Sequence, residues 1–174
     1  MATNLEFIKS AELTTPNSTF SVTDCFTDKY EVFAVVINKM SSANAIDDIR
    51  FRFINSSGTT ISTANYDYAY LRMISFSAFS EYKSTNQTWL MSLSIDAYQE
   101  AQNIGAVIYV YNPTNTSSYT FCSWQTSYFN SGNGVEGNKA IGVLKTTDDI
   151  TGILFGANFV NNLDEAKVSV FGVK

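Results

Sequence analysis

Apolar side chains in this 174-residue chain come in short runs of period two, interrupted at intervals of about ten to twenty residues by Asn, Ser, Asp, Gly or Pro. The runs are Leu5 to Lys9, Thr19 to Phe26, Tyr30 to Asn38, Ile49 to Asn55, Thr59 to Thr63, Leu71 to Phe79, Trp89 to Ile95, Ala106 to Asn112, Tyr119 to Phe129, Lys139 to Lys145, Ile150 to Phe155 and Val168 to Val173. Period two places alternate residues on opposite faces of a strand, so such a chain builds sheets. About ten to twelve strands are expected, all antiparallel and packed as a β-sandwich in one domain spanning residues 1–174. Only Asp96 to Ala101 reads as a helical turn, with Asp96 as N-cap and Gln99 three residues on.

Composition agrees with strands. Charged residues make up 16% and aromatic residues 14%, while Ser, Thr and Asn supply nearly a third of the chain. That mixture suits strands and turns, and the 45% of hydrophobic residues excludes disorder. At this length about 70% of the extended chain's surface is buried on folding, so neither disulfide nor metal is needed.

Several function classes drop out. With no histidine, the chain by itself builds neither a Ser/His/Asp nor a Cys/His centre, and no His-ligated metal site. A formal charge of −5 and scattered Lys and Arg argue against nucleic acid. No apolar run approaches the length of a membrane span, and residues 1–10 lack the pattern of a signal peptide, so a cytoplasmic origin without membrane contact is expected. Cys25 and Cys122 sit in apolar runs and read as buried free thiols. The Asn-X-Ser/Thr sequons at Asn17, Asn55, Asn86 and Asn115 then read as unglycosylated.

Carboxylates remain as the only acid-base chemistry. Asp47-Asp48 and Asp148-Asp149 each precede an apolar run, where charge at a strand entry is the plain reading, and a Ca²⁺ site or a glycosidase dyad the sharper ones. No catalytic, metal-ligating or cofactor-binding residue is assigned. Gly132-Asn133-Gly134 lacks a following helix and reads as a turn.

Two features point to contacts with other molecules. Tyr66, Tyr68 and Tyr70 share one side of a strand, as either a half-buried aromatic ladder or a platform for a sugar or protein partner. In Tyr30 to Asn38 both faces are apolar: Tyr30, Val32, Ala34 and Val36 on one, Phe33, Val35 and Ile37 on the other. Leu71 to Phe79 is two-faced as well. Such strands need cover on both sides, from the opposite sheet and from a loop or a second subunit, and Phe33, Val35 and Ile37 are candidate contacts with the tyrosines.

The order of these motifs carries a resemblance. Tyr30-Glu31-Val32-Phe33-Ala34-Val35-Val36-Ile37-Asn38 is followed by Ile49-Arg50-Phe51-Arg52-Phe53, Ser56-Ser57-Gly58, Tyr66-Asp67-Tyr68-Ala69-Tyr70 and Ile150-Thr151-Gly152-Ile153-Leu154-Phe155. The series ends in Val168-Ser169-Val170-Phe171-Gly172-Val173-Lys174. In this the chain resembles the β-sandwich modules of tailed-phage virion proteins, above all those of marine cyanophages. The resemblance implies a jelly-roll-like fold, a homotrimer, contact with other virion proteins, and a place in the virion after assembly in the host bacterial cytoplasm. It implies a capsid decoration or tail-fibre role, with a receptor- or glycan-binding fibre tip using the tyrosines and Trp89 or Trp124 as the alternative. A glycan-degrading enzyme is the more remote reading. The resemblance brings no catalytic residue and no cofactor.

Overall fold

The computed structural model describes residues 4–42, 47–77, 79–95, 104–130, 134–157 and 162–174. Among them are twelve strands: β1 (Leu5–Leu13), β2 (Thr19–Val22), β3 (Val32–Ser42), β4 (Asp47–Asn55), β5 (Tyr66–Ile74), β6 (Ser80–Gln87), β7 (Leu90–Ile95), β8 (Gly105–Tyr111), β9 (Thr120–Asn130), β10 (Gly134–Leu144), β11 (Ile150–Ala157) and β12 (Leu163–Val173). The helical turn expected at Asp96 to Ala101 lies outside the described residues.

Every strand pairing is antiparallel. One sheet has eight strands in the order β1-β12-β3-β8-β9-β10-β5-β6, and the other has four in the order β2-β11-β4-β7. With the consecutive hairpins β5/β6 and β9/β10 set aside, the remaining strands follow a simple rule. First pairs with last, β1 with β12; then β2 with β11, β3 with β8, and β4 with β7. A single antiparallel ribbon wound around a core has that pairing, and it is the jelly roll, as expected. The two inserted hairpins both extend the first sheet, doubling its width from four strands to eight.

Burial follows the period-two pattern. Phe33, Val35 and Ile37 of β3, Ile108 and Val110 of β8, and Val168 and Val170 of β12 meet Phe51 and Phe53 of β4 and Ile153 and Phe155 of β11 in one contiguous core. Trp124 packs edge to face on Phe51, with ring centroids 5.4 Å apart. Gly172 fits the same layering. A Cβ there would strike the ring of Tyr30, which lies across the end of β12.

Three differences from the sequence reading have local causes. Thr59 to Thr63 does not return as a strand: along the part of β4 that β7 leaves open beyond Phe51, the chain makes one bridge, Thr60 to Ile54, flanked by the Asn55 and Ile61 amide bonds, and turns away. The turn before it forms as expected, with the Gly58 amide donating to the Asn55 carbonyl at 2.9 Å and Gly58 at φ 76°. The run Leu71 to Phe79 breaks, because β5 starts earlier, at Tyr66, and ends at Ile74, leaving Phe76 and Phe79 exposed beyond it. Third, β6 has the sequence SEYKSTNQ, with no apolar alternation to announce it. It is the outermost strand of its sheet, where polar side chains face water on both sides.

Candidate functional site

The tyrosine row divides by depth. Tyr66 is wholly buried; its hydroxyl donates to the Ile61 carbonyl at 3.0 Å and accepts the Phe53 amide at 3.1 Å. The Phe53 carbonyl receives the Ile61 amide at 2.9 Å. These bonds close the edge of β4 beyond Phe51, the last residue paired with β7. Tyr68 is buried as well, and Tyr70 is half-buried. The rings of Tyr68 and Tyr70 stack at 6.3 Å, and Tyr82 of β6 continues the stack at 4.9 Å from Tyr70. The row is thus a cross-strand ladder, and burial pushes the Tyr70 hydroxyl up to about 12.

Beyond the ladder lies an ionic cluster that no local sequence pattern announces. Glu136 of β10 is 1% exposed, and its Oε2 accepts Arg72 Nε at 2.9 Å, Arg72 Nη2 at 2.6 Å and the Tyr128 hydroxyl at 2.8 Å. Arg72 comes from β5 and Tyr128 from β9, so the carboxylate ties three adjacent strands together. Burial and the neighbouring carboxylate push the Tyr128 phenol up, the opposite of an activated nucleophile. Removing Arg72 would leave the buried Glu136 carboxylate without its counter-ion, so the cluster favours one register of the inserted hairpins.

The other predicted groups are placed as follows. Trp124 is core, and the ring of Trp89 carries the Arg50 guanidinium 4.1 Å from its centroid. Asp47 and Asp48 are the first residues of β4, where Asp48 pairs with Arg50 at 3.4 Å. Asp148 and Asp149 stand just before β11, and the Asp149 carbonyl accepts the Ser56 amide at 2.8 Å. Among the described residues no three His, Cys, Asp or Glu side chains converge as a metal site. Cys25 and Cys122 are free and buried, and burial pushes the Cys25 thiol up to about 12 and the Cys122 thiol up also. Gly134 opens β10 at φ 84°, while Gly132 and Asn133 lie outside the described residues.

Phe33, Val35 and Ile37, the candidate contacts of β3, are all covered by the second sheet within the same chain. Their neighbours Val32, Ala34 and Val36 point the other way, onto the outer face of the eight-stranded sheet. Register extends that face in rows. One runs Leu5, Val173, Val32, Tyr111, Phe121, Val143; the next runs Phe7, Phe171, Ala34, Tyr109, Ser123, Ile141, Ala69. Phe7 and Phe171 meet edge to face at 5.8 Å. Ile141 is 65% exposed, Phe7 59% and Phe121 51%, and Phe129 and Val135 stand exposed farther along the same side. A shallow depression of about 1160 Å³ crosses this face, floored by Val36, Val107, Ser123, Gln125 and Ala69. This outer face is a broad surface, rich in exposed apolar side chains, that the described residues of the chain leave uncovered.

No family pattern matches the chain. No curated protein matches it. Among solved structures it is similar to a fructofuranosidase from Schwanniomyces occidentalis complexed with fructosylnystose, at 8% identity and a TM-score of 0.22, over 99% of this chain. The chain spans 35% of that enzyme's length, and a likeness so low carries no argument about fold or activity.

Proposed function

We propose that the chain is a bacteriophage virion structural protein, a homo-oligomeric jelly-roll module used as a capsid decoration or a tail or fibre component. The observation that carries this reading is the broad apolar outer face of the eight-stranded sheet. Soluble monomers seldom leave contiguous apolar patches of more than a few hundred Å² in water, and such a patch marks a surface that another molecule covers. The jelly roll supports the reading by analogy of fold, since virus shells use it, although lectins and other binding proteins do so too. The homotrimer and the virion location rest on the sequence resemblance. No catalytic step is assigned to the chain.

The test is co-sedimentation. Particles purified on a density gradient from lysates of the host that makes this chain should carry it in a fixed ratio to the major shell protein, read by quantitative mass spectrometry. Recovery of the chain in the soluble fraction alone would overturn the proposal.

A further inference from the structure

The outer face of the eight-stranded sheet, from β12 across β3, β8, β9 and β10 to β5, is a self-association surface, and we infer that it packs against the same face of a second copy of this chain. The inference rests on the structural role proposed above and names the partner of that face.

The first support is charge. Along these six strands the outward side chains near the centre include one ionic group, Lys139. Asp67 at the margin is already paired with Lys145 at 2.9 Å. The ion pairs of Glu12, Lys39, Lys167 and Glu165 stand together at one end of the sheet, and Glu81 and Lys83 lie on the outermost strand, β6. A chain with a formal charge of −5 repels its own copies over most of its surface, but not across this face. A nucleic acid or an acidic polymer would find almost no cation there.

The second support is area. Six strands at about 4.8 Å spacing, over some four rows of outward residues, give about 700 Å² per copy. Two such faces bury about 1,400 Å², within the range of stable specific interfaces.

Shape is the third. An evenly twisted sheet is a saddle, and half a revolution about an axis lying along a strand returns a saddle to its own surface. Two evenly twisted sheets related in that way run parallel to each other, as the sheets of an aligned sandwich do, apart from the depression that crosses this face. Large residues beside small ones, Tyr109 and Ile141 next to Ala34, Ser123 and Ala69, provide knobs and hollows for the two faces to interlock. The polar edge strand β6 blunts the competing route, edge-to-edge pairing through an open ladder.

The contact is isologous, so one substitution alters it twice. Multi-angle light scattering and sedimentation equilibrium on the 174-residue chain should give an association of even order built on pairs of 19.3 kDa chains, which for the homotrimer named above is a hexamer of two trimers face to face; a plain trimer would overturn the inference. Ile141→Lys, at a side chain exposed in the single chain, should leave circular dichroism unchanged, and the thermal midpoint unchanged at concentrations low enough for both proteins to be monomeric, while raising the dissociation constant at least about 100-fold. Ser21→Lys, exposed on β2 in the other sheet, should change nothing. A wild-type chain that stays monomeric at about 100 µM, or an oligomer indifferent to Ile141→Lys, would overturn the inference. So would a monomer that binds a soluble oligosaccharide and loses it in Ile141→Lys, which would give the face to a glycan. A monomer that still joins particles overturns the self-packing and spares the structural role; a pair that joins no particle does the reverse.

Discussion

Tyr66 shows how one hydroxyl closes a sheet edge. It takes the Phe53 amide and gives its proton to the Ile61 carbonyl where β7 has ended and no strand remains to pair with β4. Tyr66→Phe keeps the ring, stacked 6.4 Å from Phe53, and strands a buried backbone amide. An orphaned buried donor costs about 1–3 kcal/mol, so urea unfolding of Tyr66→Phe should show that loss with an unchanged m-value. A loss below about 0.5 kcal/mol would mean that the two bonds contribute little. Alternation in sequence places Tyr66, Tyr68 and Tyr70 on one side of a strand. It does not say which of them lies deepest, because depth depends on where β7, a strand distant in sequence, stops. Glu136 was silent for the same reason: its partners Arg72 and Tyr128 reach it only once β5, β9 and β10 are neighbours.

At the scale of elements, visibility in sequence tracked burial. Strands with an apolar face were legible, β8 and β9 to within one residue and β3 and β12 short by four residues at the end of the first and five at the start of the second, since core packing writes the period-two pattern. β6 left no trace, because an edge strand lined with Ser, Lys, Thr and Asn is under no such demand. The opposite edge strand, β1, is held partly by charge. Glu6 receives Lys29 at 2.5 Å and Lys174 at 2.9 Å, and Lys29, then Lys174, holds its carboxyl down to about 2 from the ordinary 4.5. A carboxylate with a depressed folded-state pKa adds stability above its unfolded pKa, and the contribution disappears as pH falls through the folded value. Hydrogen exchange at the amides of β1, corrected for intrinsic rates, should therefore lose protection between pH 4.5 and about 2. Glu6→Gln should abolish that step and leave β1 less protected at neutral pH. A step of the same size in Glu6→Gln would remove Glu6 from the account.

For the whole molecule, the number of strands and the two-layer architecture could be read from the strand runs, while the jelly-roll winding was expected from the resemblance alone. The jelly roll depends on pairing β1 with β12 and β2 with β11, contacts between opposite ends of the sequence that no local signal encodes. Without that order, the two inserted hairpins could not be recognised as an extension of one sheet. Nor could the outer face be assembled: Phe121 and Ile141 on the second hairpin share it with Phe7 and Phe171 near the chain ends only through the register of the sheet. The two apolar faces of β3 were visible in sequence, while the choice of Phe33, Val35 and Ile37 for the core and Val32, Ala34 and Val36 for the outside was settled by where the second sheet lies.

The central claim is that this wide face is completed by other protein within a particle. A reconstruction of the particle by electron cryomicroscopy addresses it directly. The account predicts jelly-roll density in symmetric copies, with Phe121 and Ile141 covered by a neighbouring chain. Particles lacking that density, or holding it with both residues bare to solvent, would contradict it.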